Sequence, residues 1–271
     1  MTQTDFIGSH PAAPDFFSDW LTHEDLPVTS TIRHRKLLEH PLKRESAVEI
    51  IKNYITAHHI DEKKIQSFER KKAILDKRGY GEFIDKNSPF PKSEITQRGN
   101  CAEIILAEYI KSTSLLELLV YRLRYNTNIE QSMKGDDVLL LDSTDLRRKV
   151  IVGEAKFRST PDKKVVKDIT EGFGSKKLPL SLPFLAQVMR DKGHDELADR
   201  LEDLNAEMHC LEVPIVNVGL LLSNEKASHF IDLHGDCDNE SLVLLSLSLE
   251  DPCGLVSEAF NKALGELASS I

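Results

Sequence analysis

Residues 134–158, KGDDVLLLDSTDLRRKVIVGEAKFR, constrain the fold more than any other stretch of the chain. Val138–Leu141 and residues 150–152 are short apolar runs of β-favouring residues joined by a polar turn, which predicts a hairpin. Both faces of both runs are apolar, so the hairpin is expected in the buried middle of a sheet. Its ends nevertheless carry Asp136, Asp137, Glu154 and Lys156. Burying charge is costly unless the charge is paired or holds a metal, so these four residues need a use.

Pairing can be read from the numbering. If the turn centres between Asp145 and Leu146, Asp137 falls opposite Glu154. Side chains alternate along a strand, so Glu154 and Lys156 share a face. One hairpin end then gathers two carboxylates and an ammonium. Paired carboxylates can hold a divalent cation through oxygen, and a lysine beside them can position water or stabilise charge on a phosphate. Asp136 is the rival of Asp137, because a single bulge would exchange them.

The flanking segments offer further candidates. Asn100 and Glu103 stand three residues apart at what reads as the start of a helix, a capping-box relation. Glu103 therefore has two possible uses: returning to the Asn100 backbone, or facing the hairpin as a further metal ligand. After the second strand, Thr160-Pro161-Asp162 reads as a helix start with Thr160 as cap and Pro161 in first position. That helix presents Lys163, Lys164 and Lys167, which with Arg158 are the candidate nucleic-acid contacts.

Charge limits what the chain does alone. A formal net charge of −9 argues against strong unaided binding to nucleic acid. The distribution is uneven. Residues 147–177 hold ten Lys/Arg against four acids, whereas residues 224–271 hold nine acids against Lys226 and Lys262. A basic strip around a carboxylate site on an acidic protein suits a phosphate-rich substrate delivered partly by a partner, with a solvated lysine-rich helix as the competing reading. No apolar run approaches the ~20 residues of a membrane span, and the first residues lack the pattern of a signal peptide. Cys101, Cys210, Cys237 and Cys253 are scattered without CxxC spacing, as expected of reduced thiols in a cytoplasmic protein.

The rest of the chain divides near residue 90. Residues 1–30 read as an arm docking through Phe16, Phe17, Trp20 and Leu21. Residues 31–78 read as helical and 79–95 as a linker. This gives an N-terminal arm and helical extension over 1–90 and a core over 91–271. Within the core, helices are expected over 184–191, 195–208 and 255–267, with strands over 213–222 and 241–249. His229, His234 and Cys237 lack a fourth ligand for zinc, and the stretch around them reads as a polar, exposed turn.

A helix-borne acid, an acid opening one strand and Glu-x-Lys ending the next resemble the PD-(D/E)xK nuclease superfamily. The motif stands here as Gly135-Asp136-Asp137 and Glu154-Ala155-Lys156. With Arg98-Gly99-Asn100-Cys101-Ala102-Glu103 and Lys134-Gly135 added, the chain is similar to the HamA/AbpA family, nuclease subunits of Hachiman-type antiphage defence. The resemblance covers about residues 95–170. It implies an α/β restriction-endonuclease-like core, with a mixed central sheet flanked by helices and the helical extension in front. It implies Asp137, Glu154 and Glu103 as ligands of Mg²⁺ or Mn²⁺, with Lys156 positioning the attacking water. It also implies DNA as substrate, a superfamily-2 helicase partner (HamB/AbpB-like) that restrains and activates the nuclease, and no membrane. Val138 stands where the family pattern commonly has glycine. The alternative is a non-catalytic binding subunit that keeps the fold.

Overall fold

The computed structural model describes residues 1–29, 31–80, 88–131, 133–174, 177–208, 210 and 213–269. Residues 81–87 of the expected linker over 79–95, and Lys176 of the basic strip, lie outside the described residues. Among the described residues, six strands form one mixed sheet: β1 (Leu21–Asp25), β2 (His34–Glu39), β3 (Val138–Leu141), β4 (Val150–Phe157), β5 (Ile215–Ser223) and β6 (Leu242–Ser248). Their spatial order is β1-β2-β6-β5-β4-β3. The four inner strands run parallel, and antiparallel partners β1 and β3 close the two sides.

Helices cover both faces. They are α1 (Gln3–Ile7), α2 (Phe16–Trp20), α3 (Arg44–His59), α4 (Glu62–Asp76), α5 (Glu94–Ser114), α6 (Lys163–Gly172), α7 (Leu182–Asp191), α8 (Asp195–Glu207), α9 (Ala227–His234) and α10 (Pro252–Ser269). Alternation sorts the side chains of each strand between the layers. Val216, Val218, Leu220 and Leu222 of β5 pack into one core with α3, α5 and α10. On the other face, Ile215 packs with α7 and α8, and Leu221 packs with α6 and α9. Every residue of β5 and β6 is buried, so both read as continuous apolar runs.

Three expectations change. First, β3 is an edge strand and not a middle one. At its outer side the Glu117 backbone exchanges hydrogen bonds with Leu141 at 2.8 and 3.1 Å, and all four β3 residues are buried, Val138 and Leu140 in one core and Leu139 and Leu141 in the other. Second, the stretch read as a polar turn after β5 contains α9. Parallel neighbours cannot be joined by a tight turn, and α9 is part of the crossover from β5 to β6. Third, the segment expected to be helical from residue 31 contains β2, which pairs in parallel with β6.

Sequence alone gave no reason to bury HRKLLE, because its burial depends on distant partners. His34 is held by Asp232 and Ser246, each at 2.8 Å. Fully buried Arg35 donates to Asp25 at 2.5 and 2.8 Å and to the Gly8 carbonyl at 3.0 Å. The N-terminal aromatics dock as expected, with Phe17 and Trp20 buried. Each such side chain contributes roughly 1.5–3 kcal/mol on transfer from water.

Candidate active site

The register of the hairpin runs from Val138 opposite Gly153 to Leu141 opposite Val150. One step further, Asp137 faces Glu154. The Ala155 N–H donates to Asp137 Oδ2 at 2.9 Å, which fixes the carboxylate against the end of β4. Asp137, Glu154 and Lys156 fall on the same face by alternation.

Asp136 makes its contacts with Ser181, and its Oδ1 is buried without a hydrogen-bond partner among the described residues. Its N–H donates to Ser181 Oγ at 3.0 Å, and its Oδ2 accepts from the Ser181 N–H at 2.9 Å. The pair ties the start of the hairpin to the start of α7. Gly135 makes the approach possible: its φ of +115° suits glycine, and a Cβ there would lie 2.8 Å from Ser181 Oγ.

Glu103 reaches the site from α5, on the opposite face of the sheet. This helix begins at Glu94 with Ser93 at its N-cap, so Asn100 lies inside it. Asn100 Nδ2 donates to His59 Nε2 at 3.0 Å. Asn100 therefore caps nothing, and the capping-box use of Glu103 disappears. Glu103 is 9 % exposed, and its Oε2 has no hydrogen-bond partner among the described residues. Burial, reinforced by the charge of Asp137, pushes its carboxyl up to about 8, against the pull of Arg122 and Lys156. Burial also raises Asp137, although the Ala155 N–H and the Arg122 charge oppose the rise.

Glu154 behaves differently. Burial works against its charge, but Lys156 and Lys177 outweigh it and lower its pKa. Lys156 Nζ lies 2.7 Å from Oε1 and Lys177 Nζ 3.2 Å from Oε2. Lys156 is held above its ordinary pKa: burial disfavours its charge, and Glu154 more than compensates.

Two cavities adjoin here, and Glu103 and Asp137 line both. An open groove of about 770 Å³ includes Arg98, Asn100, Lys156 and Arg158 in its walls. A smaller cavity of about 150 Å³ lies against Arg122 and Asp136. The groove thus takes in Arg158 but not Lys163, Lys164 or Lys167, which lie on α6. Lys163 and Lys164 are exposed, and Lys164 pairs with Asp168 at 3.6 Å. The cap of α6 is Asp162, which accepts from the Val165 N–H at 2.7 Å, and Thr160 lies outside the helix.

Among the described residues, no three His, Cys, Asp or Glu side chains already form a group that could hold a metal ion. Glu154 faces its two lysines. The donor set still suits a hard cation: oxygen ligands only, with Glu103 Oε2 buried and lacking a hydrogen-bond partner among the described residues.

Two contributors escaped sequence reading. Lys177 was one basic residue among ten. Arg122 opens a short 3-10 helix, Arg122–Tyr125, upstream of the hairpin, where it donates to the Met133 carbonyl at 2.7 Å and its charge acts on both Glu103 and Asp137. No spacing pattern connects either residue to the motif.

A sequence model of the family described as HamA matches residues 14–264. The Hachiman protein HamA of Bacillus cereus is 38 % identical over 266 residues, covering 98 % of this chain and 96 % of that relative. The match extends through the sheet, α5 and the hairpin that carries Asp137, Glu154 and Lys156, and the chain belongs to the HamA family.

Proposed function

We propose that this chain is the nuclease of a Hachiman antiphage defence system, a metal-dependent hydrolase of phosphodiester bonds in DNA that works in the cytoplasm with a superfamily-2 helicase. Membership of the HamA family supports the defence role. The observation that supports the chemistry is the hairpin register, which sets Asp137 across from Glu154, with the Ala155 N–H on Asp137, Lys156 on Glu154, and Glu103 Oε2 buried without a hydrogen-bond partner among the described residues. No helix among the described residues is long and apolar enough to cross a membrane.

Asp137, Glu154 and Glu103 would hold Mg²⁺ or Mn²⁺. A bound divalent cation supplies Lewis-acid stabilisation of charge gathering on the phosphate and makes water a better nucleophile. Asp137 enters the reaction already oriented by the Ala155 N–H. Lys156, kept protonated by Glu154, donates hydrogen bonds and orients the attacking water rather than removing its proton. Arg98 and Arg158 in the groove offer positive charge to the substrate backbone.

The test is cleavage of plasmid DNA with Mg²⁺, alone and with the partner helicase and ATP, by wild type, Glu154→Ala and Lys156→Ala at matched folding. Wild type should cleave and both variants should not. Equal cleavage by all three removes the assignment. DNA binding without cleavage by any of them would favour the non-catalytic subunit. Parallel RNA and single-stranded substrates test the choice of DNA.

A further inference from the structure

The loop after α6 brings a second lysine to Glu154 that no motif marks. With Lys156 on Oε1 and Lys177 on Oε2, each carboxylate oxygen faces an ammonium. The placement of Lys177 is built from the interior outward. Its N–H donates to Asn217 Oδ1 at 3.1 Å, and its carbonyl accepts from Asn217 Nδ2 at 3.2 Å. Asn217 is fully buried in β5, and its Oδ1 also accepts from Asn239 Nδ2 at 2.8 Å. Buried amides satisfied in this way have little freedom to move. The Lys177 ammonium also lies 5.3 Å from the centre of the Phe173 ring, within cation–π range. Gly172 keeps the approach open, since a Cβ there would come within 3.3 Å of Glu154 Oε2.

We propose that Lys177 is a positioning residue whose ammonium competes with the divalent cation for Glu154, and so sets the cation concentration at which the site loads. This rests on the metal-dependent reading above. A carboxylate with an ammonium on each oxygen must release one to take a cation, and an ammonium beside a dication repels it. Lys156 belongs to the Glu-x-Lys strand and stays with it. Lys177 is joined to the site only through its flexible stem, so its tip can leave while Asn217 keeps its backbone in place.

Mn²⁺ binding to the full-length chain, measured by calorimetric titration and by melting shift, tests the idea without relying on activity. Lys177→Met should bind Mn²⁺ about fivefold more tightly than wild type, the scale of a partly exposed ion pair. Lys177→Arg, which retains the charge, should stay within about twofold of wild type. Lys177→Gln repeats the test if the Met variant folds poorly. A merely structural lysine would leave Mn²⁺ affinity unchanged or weaken it when replaced, and either result in the Met and Gln variants overturns the proposal. In that case, Mn²⁺ binding by wild type that is lost in Glu154→Gln leaves the nuclease site standing. If wild type binds no Mn²⁺, both readings fall.

Discussion

Asp137 and Ala155 are joined by one hydrogen bond, in which the Ala155 N–H donates to Asp137 Oδ2 at 2.9 Å. The donor stands between Glu154 and Lys156, so backbone atoms of one strand set the aim of an acid that precedes the other. The adjacent Asp136 makes its contacts with Ser181 instead. Two consecutive aspartates therefore make different contacts.

Their replacements should separate accordingly. Asp137→Asn should lose more than about 100-fold in cleavage, exceeding the 10–100-fold typical of groups that only support a ligand. Its melting temperature should hold or rise, because a buried charge near Glu154 is removed. Asp136→Ala should cost about 1–3 kcal/mol through the unsatisfied Ser181 N–H, or roughly 2–4 °C of melting temperature per kcal/mol for a chain of this size. Thermal melts and plasmid cleavage on both variants decide the matter. Lost activity with an unchanged melt in Asp136→Ala, together with normal cleavage by Asp137→Asn, would reverse the roles.

Gly135→Ala should destabilise the chain by about 1–3 kcal/mol, because alanine is strained at its φ of +115°. The added methyl would also press on Ser181 Oγ, the acceptor for the Asp136 N–H. Cleavage and denaturant midpoint should fall together, and an unchanged midpoint would rule out this role for the turn.

Divalent cations should stabilise the fold. Asp137 and Glu154 each oppose the ionisation of Glu103, and a bound cation removes that conflict. Stabilisation should reach about 2.7 kcal/mol when the ion is at a hundred times its dissociation constant. Melts with millimolar Mg²⁺ or Mn²⁺, with EDTA and with Glu103→Gln provide the measurement. No shift in wild type would count against the cation site.

Acid should destabilise the chain partly through His59. Burial lowers its pKa to about 4, while its Nδ1–H donates to the Ile55 carbonyl at 2.8 Å and its Nε2 accepts from Asn100. The unfolded chain takes up this proton near pH 6.5. The stabilisation is complete above that pH and is lost as pH falls from about 6.5 towards about 4, amounting to at most ~3 kcal/mol. Urea midpoints across this range should decline less steeply in His59→Gln than in wild type.

The apolar strands were legible because parallel strands buried on both faces appear as unbroken runs, as in β5 and β6. The hairpin register could be counted because opposed pairs follow from the position of the turn. That count brought Asp137 opposite Glu154, and Glu154 and Lys156 onto one face. Local sequence therefore determined the α/β class, the paired strands and the residues that open and close them.

Tertiary structure decided what local pattern could not carry. β2 is charged in sequence and enters the sheet only because Asp25, Asp232 and Ser246 satisfy Arg35 and His34 from far along the chain. Glu103 could have served as a cap until the helix proved to begin at Glu94, leaving one of its oxygens buried without a hydrogen-bond partner among the described residues. Arg122 and Lys177 arrive from outside the motif's strands, held by the Met133 carbonyl and by Asn217. Periodicity and spacing report a residue's neighbours along the chain. The charge balance around Glu103, Asp137 and Glu154 depends on neighbours in space, and packing alone supplies those.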